Sequence, residues 1–134
     1  MRATHLLIIA HGSRREASND EVRRLADRVR ALCAPGIADV EVAFLELAEP
    51  SIAEGLARCV TKGAREIVVF PYFLAAGTHV ALDIPDAVSA FDLDHPDIRI
   101  RLTPHLGASE ALPRAILAVV LAGQETGQPV AAVN

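Results

Sequence analysis

Tryptophan is absent from this chain, and four phenylalanines and one tyrosine are its only aromatic residues. With 51% of residues hydrophobic, the core must therefore be aliphatic, built from Ala, Val, Ile and Leu. Two cysteines are too few for a disulfide-scaffolded mini-protein, and they form no CxxC pair. A basic surplus is missing as well. Thirteen Lys and Arg face seventeen Asp and Glu, a net charge of −4, which is the wrong sign for a chain that lives on nucleic acid. No apolar run approaches the roughly 18 residues that span a bilayer. The opening Leu6–Ala10 run is too short for a secretory core and is followed at once by charges. There is no GxGxxG, no Walker A loop and no GxSxG elbow. What remains is one ordinary domain of 134 residues, read as cytoplasmic, with neither nucleic acid nor membrane as partner.

The charge is uneven along the chain. Residues 1–33 hold seven Arg against four acids, an excess that suits either an anionic small molecule or a solvated helix face. Thr4–Ala10 is almost continuously apolar and reads as a strand buried on both faces, as in a parallel sheet. Val22, Leu25, Ala26, Val29, Leu32 and Cys33 mark one face of a helix, with Ser18 or Asn19 as its cap and Pro35-Gly36 at its end. Val40–Leu45 reads as the second strand. Pro50-Ser51 opens a helix with Ile52, Leu56, Cys59 and Val60 on one face, and Gly63 stands just past its end. Both cysteines fall on apolar stripes, so each is expected to be a buried free thiol.

Glu66–Phe70 is the third strand, and Pro71–His79 follows no regular period. Val80–Phe91 has helical spacing, with Pro85 in the first turn or at a kink. Asp97–Leu102 alternates like an edge strand, and a last helix runs from about Ser109 to Ala122. Strand and helix alternate from end to end. The expectation is a single flavodoxin-like α/β domain over residues 1–123, with 124–134 as a flexible tail. Its sheet is four-stranded and parallel in order 2-1-3-4, with helices on both faces.

In that topology the crevice outside the carboxyl ends of strands 1 and 3 is the natural ligand site. His11 follows strand 1 and His79 follows strand 3, so both are expected at that crevice. Imidazole titrates near neutrality and binds borderline divalent metals, so the pair could hold a metal, accept protons, or do both. Glu46, at the end of strand 2, reaches the same rim and would add a carboxylate acceptor. Asp83, four residues after His79, either orients that imidazole or caps the following helix. Ser13, Arg14 and Arg15, where strand 1 meets its helix, suit carboxylates or phosphates. His5, His95 and His105 read as structural or exposed.

The blocks Leu7–Arg14 (Leu-Ile-Ile-Ala-His-Gly-Ser-Arg) and Pro71–Pro85 resemble the small CbiX-type sirohydrochlorin chelatases, with Phe44-Leu45-Glu46 and Glu49-Pro50-Ser51-Ile52 between them. Pro104-His105-Leu106-Gly107 matches the family's closing block in part. The resemblance implies insertion of a divalent metal into sirohydrochlorin, for cobalamin or sirohaem. Cobalt is the first expectation, with iron or nickel as alternatives, and the metal is a substrate with no cofactor permanently bound. By position, His11 and His79 match the family's paired metal and catalytic histidines, and Glu46 an acidic residue near them. Ser13, Arg14 and Arg15 would then meet the macrocycle's carboxylates.

The rival reading is a non-enzymatic cobalt or nickel carrier. Against the family's usual two-lobed architecture the chain is one lobe. Ala115–Ala122, apolar all round, adds the expectation of a homodimer.

Overall fold

The computed structural model describes residues 3–125, with the side chains of His79, Gln124 and Glu125 outside that description. Four strands alternate with helices: β1 (Thr4–Ala10), α1 (Glu16–Ala31), β2 (Asp39–Phe44), α2 (Ile52–Thr61) and β3 (Glu66–Pro71) lead. A π-helical turn (His79–Asp83) then runs into α3 (Ile84–Asp94), followed by β4 (Arg99–Leu102), a 3-10 turn (Leu106–Ala108) and α4 (Ala111–Glu125). The sheet has the expected order, β2-β1-β3-β4, and all three pairings are parallel.

β1 is hydrogen-bonded on both edges and covered on both faces, which is why it carries almost no polar residue. Leu7 and Ile9 join Ala43, Ile67 and Val69 beneath α2 and α3, where Ile52, Leu56, Ile84 and Phe91 close the larger core. Ile8 points the other way and packs with Val40, Val42 and Phe70 against Ala26 and Val29 of α1. Complete burial of each such aliphatic side chain is worth about 1.5–3 kcal/mol. Parallel strands covered on both faces and one helix per crossover follow from this distribution.

Local signals account for the helix ends. A capping box starts α2: the Glu54 N–H donates to Ser51 Oγ at 3.2 Å, and the Ser51 N–H donates to Glu54 Oε1 at 2.9 Å. Pro85 sits in the first turn of α3, where its missing N–H costs nothing.

The start of α1 departs from expectation. The helix begins at Glu16, its N-cap is Arg15, and no side chain caps it. Asn19 is buried inside the helix, and Ser18 is exposed. Its end departs too. The helix stops at Ala31, the chain turns through a left-handed Cys33 (φ 50°), and Leu32 and Cys33 are exposed. The expected burial of Cys33 is thus overturned, because the turn takes it off the apolar stripe. Cys59 is fully buried as expected.

α4 packs chiefly against the 3-10 turn. Ile116, Leu117, Val119, Val120 and Leu121 are all at least 50% exposed. The expected tail over 124–134 lies outside the described residues, apart from the end of α4 at Glu125. Among the described residues no helix is long and apolar enough to cross a membrane.

Candidate functional site

β1 and β2 end side by side, and their pairing continues one step beyond the strands. The Leu45 N–H donates to Ala10 O at 2.9 Å and the Glu46 N–H to His11 O at 3.1 Å. Gly12 follows with φ 95°, and a Cβ there would lie 1.8 Å from the Glu46 carbonyl oxygen. Only glycine tolerates both the conformation and the approach. The backbone thus brings positions 11 and 46 side by side.

Their side chains meet at the rim. His11 Nε2 lies 3.6 Å from Glu46 Oε2, and the two side chains are 45% and 50% exposed. A contact this open to water adds little to stability. Its value is chemical. His11 Nδ1 lies 3.0 Å from Gly12 O. A carbonyl only accepts, so this contact puts the ring proton on Nδ1 and leaves the Nε2 lone pair towards Glu46. Imidazole lone pair and carboxylate then face one another across a gap suited to a shared cation, either a proton or a divalent metal.

A cleft of about 360 Å³ opens beside Glu46, lined by Leu45, Glu46, Ser51, Ile52 and Asp83. Asp83 makes no side-chain cap to α3. The structure brings this carboxylate into the same cleft as Glu46. His79 opens the π-helical turn after β3, on a connection that leaves the same sheet edge as His11. Single π-turns of this kind recur at functional sites. The connection from β1 leads to α1 on one face and that from β3 to α3 on the other, so the edge between them is the switch point of the sheet.

Ser13 is held in the loop entering α1. Its Oγ accepts from the Arg15 N–H at 3.0 Å, and its backbone N–H donates to Asn19 Oδ1 at 2.9 Å. Arg14 and Arg15 are exposed, and no acid pairs with either among the described residues. Two uncommitted guanidiniums therefore stand beside the rim.

His105 precedes the 3-10 turn and takes part through its backbone, its carbonyl accepting from the Ala108 N–H at 3.0 Å. Next to it, the Gly107 N–H donates to Phe73 O at 2.9 Å, and a Cβ on Gly107 would strike the Leu74 carbonyl. The closing block thus anchors the connection that carries His79. His5, 3% exposed near the start of β1, and His95, stacked on Phe91 at 3.9 Å, lie elsewhere.

Sequence reasoning missed the apolar rim. Leu47 after β2, and Leu74 and Leu82 after β3, are 52%, 70% and 58% exposed on connections leaving the site's edge of the sheet. Exposed leucines on the site-bearing connections leave apolar surface there. Of the three, only Leu74 carried a signal, as a leucine in the Pro71–His79 segment that fits no regular period. Among the described residues no set of three or more His, Cys, Asp or Glu side chains forms a metal cage.

The model of the CbiX family matches residues 5–121. The chloroplastic sirohydrochlorin ferrochelatase of Arabidopsis thaliana is 36% identical over 110 residues, covering 82% of this chain and 48% of the plant protein. A CbiX protein from Marinobacter aquaeolei VT8 superposes with a TM-score of 0.76 at 30% identity, covering 92% of this chain and 98% of its own. The sirohydrochlorin chelatase SirB from Bacillus subtilis subspecies spizizenii, solved in complex with cobalt, superposes at 0.78 with 29% identity, covering 90% of this chain and 50% of SirB. The chain spans about half the length of both named chelatases.

Proposed function

The chain belongs to the CbiX family, and on that premise we propose that it inserts a divalent metal into sirohydrochlorin, cobalt in the first place, iron or nickel as alternatives. The observation that carries this reading is the His11–Glu46 pair, 3.6 Å apart at an open sheet edge, with Nδ1 engaged and Nε2 turned to the carboxylate. Metallation removes two pyrrole N–H protons, strips water from the metal, and leaves the metal in the macrocycle. A half-exposed imidazole and carboxylate suit both tasks: they hold a cation weakly enough to hand it over, and their lone pairs can accept a proton. His79 is proposed as the second metal-binding and proton-accepting group.

Ser13, Arg14 and Arg15 are proposed to bind the macrocycle's carboxylates, and Leu47, Leu74 and Leu82 to flank its apolar body. The metal is a substrate here, with no resident cofactor. The proposed cytoplasmic setting rests on the sequence alone. A second copy of the chain is proposed as partner, covering α4 in a homodimer.

The test is cobalt insertion followed by absorbance for the wild type, His11→Ala and His79→Ala. Each variant should lose at least about 100-fold in rate, the scale on which a general base contributes. Unchanged rates in both would overturn the assignment. Cobalt or nickel binding with no tetrapyrrole binding would instead identify a carrier.

A further inference from the structure

Both loops that carry the site rest on one face of α1. Asn19 is 1% exposed, and its side-chain hydrogen bonds run towards residues that precede it. Oδ1 accepts from the Ser13 N–H at 2.9 Å, Nδ2 donates to Ser13 O at 2.9 Å, and Nδ2 also donates to Glu16 Oε2 at 3.3 Å. One amide thus grips both backbone polar groups of Ser13, two residues after His11. One turn further along α1, Arg23 reaches the other loop. Its Nη2 donates to Glu49 O at 3.2 Å, and its guanidinium stands 5.2 Å from the ring centroid of Phe44, the last residue of β2. Its Nη1 donates to Glu16 Oε1 at 2.5 Å and to Asp20 Oδ1 at 2.8 Å.

Glu16 joins the two grips, because its carboxylate accepts from Asn19 and Arg23 together. The Arg23 hydrogen bond, and then that of Asn19, hold this carboxyl below its ordinary range, so it stays ionised at neutral pH. The second loop needs support. Leu47 within it is left-handed at φ 65°, a conformation that strains a non-glycine residue. The helix itself goes without a side-chain cap, so these polar groups serve the loops and not the start of α1.

We infer that Asn19 and Arg23 are positioning residues: from behind the site they fix the His11–Ser13 loop and the 45–50 loop, and so set the His11–Glu46 geometry. Neither touches reacting atoms. The inference rests on the chelatase reading only for its activity readout.

The experiment compares wild type with Asn19→Ala, Arg23→Met and Arg23→Lys. Amide hydrogen exchange reads the loops directly. Asn19→Ala should speed exchange of the Ser13 amide, and Arg23→Met that of the 45–50 segment, each at least about tenfold, with β1 and β2 still protected. In cobalt insertion, Arg23→Met should lower kcat about tenfold with KM for the tetrapyrrole within about twofold, as expected for misplacement of a group that acts in the transition state. Asn19→Ala should lower kcat and also raise KM, because it frees Ser13. Lysine keeps the charge beside Glu16 and Asp20 but lacks the second fork nitrogen for Glu49 O, so Arg23→Lys should behave like Arg23→Met.

Rescue by lysine, or variants that only melt at lower temperature with kcat and KM unchanged, would overturn the inference. Arg23→Met alters a partly exposed side chain and keeps the test open if Asn19→Ala fails to fold. If the wild type inserts no metal, the chelatase reading falls alone. Cobalt affinity then replaces kcat: weakening of about fivefold or more supports the inference, and unchanged affinity overturns it.

Discussion

Cys33 and Cys59 carry the same thiol into opposite surroundings. Cys59 is fully enclosed, and burial first, then the nearby Glu41 and Asp39 carboxylates, push its thiol up to about 12. Cys33 stands in solvent after α1. The thiolate is the reactive and metal-binding form. A disulfide reagent such as DTNB should therefore titrate one thiol per chain in the native protein and two in guanidinium. Two fast thiols in the native state would show that α2 does not seal its core as described. The same burial keeps the Cys59 sulfur from serving as a metal ligand. His11 and Glu46 were legible in the sequence because each stands at the end of an unmistakable strand. Asn19 was not. Its partner Ser13 lies six residues upstream across a loop, and a buried Asn reads in sequence as a helix cap.

Among the elements, β1, α2 and β3 were legible nearly residue for residue, since unbroken aliphatic runs, a Pro-Ser start and a closing glycine state their own limits. α1 was misplaced at both ends. Its amphipathic spacing runs past the point where a left-handed turn stops the helix, and its true start carries no capping side chain. The π-helical turn at 79–83 was unreadable as such, because a single widened turn leaves no period in a short segment.

One join between elements gives a pH prediction. Asp39, at the start of β2, accepts from the Val40 N–H at 2.7 Å and from Arg30 Nε of α1 at 3.0 Å. Burial alone would raise its carboxyl, but the Val40 and Arg30 hydrogen bonds outweigh it and hold it below its ordinary value of 3.8. A carboxyl lowered by folding stabilises the native state above that ordinary value, and the contribution is lost as pH falls through the lower native one. Asp39→Asn should thus cost more stability at pH 7 than near pH 2, as read by urea denaturation at both. An equal loss at the two pH values would disprove the role of the charge.

At the scale of the whole molecule, the topology was legible and the disposition of α4 was not, because a helix apolar all round does not state what covers it. If a second copy covers it, light scattering should give the mass of two chains, and Val119→Glu should give that of one with the sheet intact by circular dichroism. A monomeric wild type at working concentration would count against the dimer. The central position of β1 has one further consequence, for synthesis. Thr4 pairs with Glu66, 62 residues later, so during synthesis β1 waits for β3 to complete its second edge. During that interval its Leu-Leu-Ile-Ile core has only β2 beside it, a sticky open ribbon that nascent-chain chaperones are suited to shield.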